Sequence, residues 1–278
     1  MNLYHIFNEI EKVDPEVYER LDSRRSAMRN FAQVGKTVAL AALPIALGSM
    51  ISKAYGQTSS SGSVVDILNY ALTLEYLESG FYAMGNQAGA SLIPSTADQN
   101  ALMVIGAHES EHVSFLKSAI SSAGGTPVNQ PTFDYTAQGT FPDVFTNYQT
   151  FLAVAQTFED TGVRAYKGQA ANLMSNSAVL GAALTIHSVE ARHASHVRQM
   201  RKANGFGDVK PWITSNQSGI PSTAVQASYN GEDNTVQAGI QIVNIGGSGI
   251  SADAASEAFD EPLSMDQVLA IVKPFIVS

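Results

Sequence analysis

"HESEH", residues 108–112, and "VEARH", residues 189–193, decide how this chain folds. In each, a glutamate precedes a histidine by three positions: Glu109 with His112, and Glu190 with His193. On a helix such residues lie about 60° apart and share a face. One pair of this kind is usually a solvated surface pair. Two pairs invite the question whether they build one site.

Both pairs sit near the middle of long segments with helical periodicity. The first segment spans 96–122, with Ser95 or Thr96 as cap and "AGG" at 123–125 as a stop. The second spans 177–203 and ends at "NGFG". Two more helices are expected. One covers 64–87, where apolar residues fall at 64, 65, 67, 68, 71, 72 and 74 without a proline. The other begins near Pro142, a residue tolerated in a first helical turn, and runs to about 173. Short links join the first helix to the second and the third to the fourth, so each pair is an antiparallel hairpin. The link between hairpins is longer, about 18 residues, and reaches ~59 Å when extended. A 27-residue helix is ~40 Å long. The link can therefore run the length of the bundle, which gives a four-helix bundle with one long crossover.

The two hairpins carry the same polar marks. Glu75 is followed seven residues later by Tyr82, and Glu159 by Tyr166. The offset is 84 residues between these helices and 81 between the two Glu-x-x-His helices. All four glutamates fall near mid-helix. Their faces are apolar: Leu102, Ile105 and Leu116 around Glu109; Ala183, Ile186 and Val197 around Glu190; Leu68 and Leu72 around Glu75; Leu152 and Ala155 around Glu159. An unpaired charge is costly there. Two multivalent cations would neutralise the four carboxylates.

This set resembles the ferritin-like superfamily, whose di-iron and di-manganese members use one Glu from each of two helices and a Glu-x-x-His from each of the others. "LNYALTLEYLESGFY" and "FDEPLSMDQVLAI" resemble exported ferritin-like domain proteins that include plant desiccation-related proteins. The resemblance implies a cofactor of two iron or manganese ions, with Glu75 and Glu159 terminal, Glu109 and Glu190 bridging, and His112 and His193 on one metal each. It implies redox chemistry with oxygen or peroxide; ferroxidase, peroxide-detoxifying and oxygenase activities all fit this ligand set. The rival reading is a non-enzymatic stress or envelope scaffold whose metal site is structural, vestigial or empty of metal.

Glu78 and His187 are candidate additional ligands. Glu78 lies one turn past Glu75 on nearly the same face, but Glu75 is preferred because its spacing to Tyr82 matches that of Glu159 to Tyr166. His187 is read as an ordinary core histidine, His108 and His196 as surface residues. Tyr82 and Tyr166 are either hydrogen-bond donors behind the ligands, redox tyrosines, or buried tyrosines with satisfied hydroxyls. Met84, Met103, Met174 and Met200 are read as core.

Composition narrows the alternatives. A formal charge of −9 argues against nucleic acid and anionic membranes as partners. The absence of cysteine excludes disulfides and thiolate metal sites. Residues 1–56 read as an export signal: "RLDSRRSAMRNFAQVGK" is charged, "VALAALPIALGSMI" (38–51) is apolar, and Ala54 and Gly56 are small. "SRRSAM" is twin-arginine-like but lacks the Phe-Leu pair that usually follows. The alternative is a buried N-terminal helix or an uncleaved anchor. Export would place the protein in the periplasm or cell envelope of a bacterium. Residues 57–63 read as a linker and 64–204 as the bundle.

The extension, 205–278, is expected to hold a β-hairpin, 224–229 with 235–243, turning at Asn230-Gly231. Two short helices should follow, the second capped by Ser264. The apolar face of that last helix needs a surface, either the bundle or a second copy of the chain. The fold class is thus all-α, with a small mixed extension.

Overall fold

A computed structural model describes residues 62–247 and 249–277. The expected export signal, and all of the expected linker but Gly62 and Ser63, lie outside the described residues. Four long helices form: α1 Val64–Ala88, α2 Thr96–Ser122, α3 Tyr148–Ala170 and α4 Ser177–Ala203. Each starts where a side chain can accept a free amide of the first turn. Ser63 and Asp66 form a capping box on α1, Ser95 accepts from the Asp98 amide, and Asn176 accepts from the Val179 amide. Three helices start where expected. The third does not begin near Pro142: Asn147 caps it, accepting from the amides of Gln149 and Thr150. The cap moves the start six residues on, to Tyr148, and Pro142 lies in the preceding turns.

Phe151, early in α3, stacks on Phe81, late in α1, so these two helices run antiparallel. The crossover therefore does traverse the bundle, and it is tied down on the way. Its strand β1, Thr132–Phe133, pairs antiparallel with the C-terminal strand Ile276–Val277, with Thr132 opposite Val277. Tyr135 donates to the Leu77 carbonyl at 3.1 Å.

The interior divides into two apolar clusters. One holds Phe81, Tyr82, Leu102, Phe151 and Phe158. The other holds Leu68, Leu72, Leu116, Ile120 and Ile186. Met200 is buried, but Met84, Met103 and Met174 are about half exposed, against expectation. Met103, for example, stands one position off the buried stripe of Leu102, Ile105 and Glu109.

The extension differs from its expectation at the hairpin. Residues 223–228 form a 3₁₀ turn. The hairpin is shorter and later, β2 Val236–Gln237 with β3 Ile240–Gln241. Ala238 and Gly239 supply the two positive φ angles, 51° and 82°, that such a tight turn requires. The two expected helices are present, α5 Ala252–Ser256 and α6 Met265–Val272, the latter with a Ser264–Gln267 capping box. Val268 and Val272 of α6 bury into the bundle core, so the bundle supplies the surface this helix needed. The chain approaches so closely here that a Cβ on Gly168 would meet the Leu263 carbonyl oxygen at 1.9 Å.

Buried arginines fasten the extension to α3. Arg164 contacts the Glu232 carboxylate at 2.7 Å and donates to the Asn230 carbonyl at 2.8 Å. Arg198 donates to both Asp160 oxygens, and Tyr229 donates to the same carboxylate at 2.8 Å. With the bundle on one side and the extension on the other, α3 is buried nearly all round. No described helix is long and apolar enough to cross a membrane.

Candidate metal centre

The mid-helix position of each marked residue places Glu75, Glu109, His112, Glu159, Glu190 and His193 in one layer between the apolar clusters. All four glutamates are fully buried, and the two histidines nearly so. Nδ1 of His112 stands 3.2 Å from Glu75, 3.1 Å from Glu109 and 3.0 Å from Glu190. Nδ1 of His193 stands 2.7 Å from Glu109, 3.4 Å from Glu190 and 3.5 Å from Glu159. The ligand atoms form two groups, Glu75–Glu109–His112–Glu190 and Glu109–Glu159–Glu190–His193, each within 4.8 Å. Glu109 and Glu190 belong to both.

The tyrosines cross between the repeats. Tyr82 of α1 donates to Glu159 of α3, and Tyr166 of α3 donates to Glu75 of α1. Each phenol thus fixes one oxygen of a carboxylate and leaves the other free to face the layer, which is what a hydrogen-bond donor behind a ligand does. Burial, then the partner carboxylate, pushes both phenols well above the ordinary tyrosine range, so both hold their protons.

A cation fits this arrangement because its donors are not otherwise used. Glu109 Oε1, Glu159 Oε2, both Glu190 oxygens and His193 Nδ1 are buried without a hydrogen-bond partner. They crowd together, but not in hydrogen-bond geometry. Buried polar atoms are nearly always partnered, so five orphans in one layer call for a further group. Carboxylate oxygens with imidazole nitrogens suit iron, manganese or zinc.

Among themselves these side chains share protons. Burial lowers the His112 imidazole, but the carboxylates of Glu109, Glu190 and Glu75 close around it outweigh that and push it up to about 12. Burial raises Glu109, but the close approach of both imidazoles outweighs it and brings the carboxyl down to about 2. Glu159 rises to about 8, chiefly through burial.

The additional candidates separate. Glu78 is buried beside the layer but belongs to neither ligand group. Burial and the neighbouring carboxylates keep its proton well above the ordinary range. Gly162 makes room for it, since a Cβ there would stand 3.3 Å from Glu78 Oε1. His187 turns away, its Nδ1 3.0 Å from the Val163 carbonyl, as a core histidine would. His196 is exposed as expected, but His108 is not a free surface residue. Its Nδ1 lies 3.0 Å from Nε2 of His193, with the rings only 12° from parallel. The signal was in the spacing: His108 is four residues before His112, on the same side of α2.

A model of the ferritin-like domain matches residues 63–203, just over half of the chain, and the chain belongs to that family. No match is found among curated proteins.

Proposed function

We propose that this protein binds two iron or manganese ions in the mid-bundle layer and uses them in redox chemistry with oxygen or peroxide. The observation that carries the reading is the pair of ligand groups that share Glu109 and Glu190. Glu109 and Glu190 would bridge, Glu75 with His112 would complete one position, and Glu159 with His193 the other. Two divalent ions would balance the four carboxylates, with Glu78 held protonated. Bound together, such ions supply one-electron steps to a small oxidant. The chain's part is to hold the ligands rigidly: Tyr82 and Tyr166 fix the terminal glutamates, and the apolar clusters keep bulk water from the layer. The twin-arginine-like N-terminus supports a place in the bacterial envelope, by a route that carries folded proteins.

A second reading, a metal-free envelope scaffold, has one observation in its favour. Protonated imidazoles would hold the carboxylates without an ion, since three carboxylates close on Nδ1 of His112. Elemental analysis of chain purified without chelator separates the two. About two iron or manganese per chain supports the dinuclear reading, and none, even after anaerobic loading, supports the scaffold. Glu159→Ala is expected to lower bound metal while leaving the helical circular dichroism intact. Unchanged metal content would remove Glu159 from the site.

A further inference from the structure

The structure contains a cavity of about 340 Å³ at the end of the bundle where α1 begins. It is lined by all four helices and its wall is overwhelmingly apolar. The sequence repeat explains why it is there. By the 84-residue offset, Phe81 corresponds to Ala165 and Phe151 to Ile67; by the 81-residue offset, Leu102 corresponds to Ala183 and Met200 to Ala119. The four larger residues fill the opposite end of the bundle, each buried. Their four smaller counterparts all line the cavity. The empty space therefore coincides with smaller side chains at positions equivalent to the filled end.

We propose that this cavity is the binding site for a single-chain alkyl amphiphile, such as a medium-chain fatty acid, and that it delivers the chain to the metal layer. The volume lies within the range of small-molecule pockets, roughly 300–1,000 Å³. Polarity runs in one direction. Alanine, leucine and isoleucine side chains line the interior, while Ser122, the last residue of α2, and Asn176, the cap of α4, stand at the helix ends. An alkyl tail fits within and a polar head at the mouth. Tyr70, also in the wall, is buried, and its hydroxyl has no hydrogen-bond partner.

The inner end adjoins the proposed centre. Tyr166 lines the cavity and donates to Glu75. Leu116 and Ile186, also in the wall, each lie four residues, about 6 Å of rise, from His112 and Glu190. The role as a delivery site rests on the metal reading, whereas the binding itself does not.

The test is isothermal titration of the full chain with decanoate, once chelator-treated and once manganese-loaded, with metal content measured in parallel. One decanoate per chain is expected in both forms. Ala165→Phe, which installs the residue of the opposite end, is expected to weaken binding at least tenfold while helicity and metal content stay unchanged. Should Ala165→Phe fail to fold, Ala183→Leu, at a partly buried position, fills the same space more gently. No binding to the full chain overturns the proposal, and leaves the apolar segment 38–51 or water as the occupant. Binding that is undiminished in both variants also overturns it. Binding to phosphatidylcholine vesicles but not to free decanoate would instead make the cavity a membrane-facing groove, and overturns it too. A chain that binds decanoate but takes up no metal would sink the metal reading and leave the pocket standing.

Discussion

At the end of the bundle where α1 stops, Phe81 stacks on Phe151 with ring centroids 4.7 Å apart, and Phe158 meets Phe81 edge-on at 5.2 Å. At the end where α1 begins, the equivalent positions carry Ala165, Ile67 and Leu74, and a cavity remains. Between them the glutamate and histidine layer is nearly symmetric, down to the crossed tyrosines. An apolar layer needs only volume, and one half of a repeat can lose volume without harming the other. A shared ligand layer needs both halves at once, so it tolerates no such drift. His108 is the exception. Its counterpart is Val189, so only one of the two histidines of the layer has an imidazole behind it.

The comparison can be broken by truncation. Phe151→Ala at the packed end is expected to cost about 4 kcal/mol, and Ile67→Ala at the cavity wall about 2 kcal/mol, in urea denaturation of the two variants. Equal losses would mean that the two ends are packed alike. The layer between them predicts a pH effect. Glu159 keeps its proton to about 8, and His112 to about 12, while the unfolded chain releases these protons near 4.5 and 6.5. Groups that bind protons more tightly when folded make stability fall as pH rises. Between pH 6.5 and 8 the chelator-treated chain should therefore lose roughly 2 kcal/mol per retained proton. Metal loading should flatten that slope in melts at several pH values, and identical slopes with and without metal would contradict it.

Smaller changes sharpen the symmetry. Tyr82→Phe and Tyr166→Phe each remove one buried donor to a carboxylate and are expected to cost about 1.5 kcal/mol apiece. A large difference between the two melts would show that the repeats hold their glutamates unequally. Smallest of all, Ala183→Leu should change stability by less than about 1 kcal/mol, because the added methyl groups enter existing space instead of displacing neighbours. A loss of several kcal/mol would mean that the cavity cannot take them.

The long helices were legible from their apolar period, and the caps the structure places at three of them, Ser63, Ser95 and Asn176, each act within three residues. The start of α3 was misplaced because a proline is compatible with a first turn, but Asn147 is the residue that satisfies the free amides. The hairpin was misplaced for a similar reason. Asn230-Gly231 is a turn signal, yet the following strands lacked a sheet, and only the four residues around Ala238-Gly239 pair. Asp160 escaped notice because it looks like an exposed neighbour of Glu159 until Arg198 and Tyr229 close over it.

By itself the sequence determined the four helices, the single crossover and the six glutamates and histidines that meet in one layer. Each depends on spacing along one helix, and two matched Glu-x-x-His pairs at equal depth leave little freedom in how the helices align. Tertiary structure alone decided the docking of α6 and the arginine clamps on α3. These depend on which surfaces meet and how much volume they leave, and neither quantity is written in the period of a single helix.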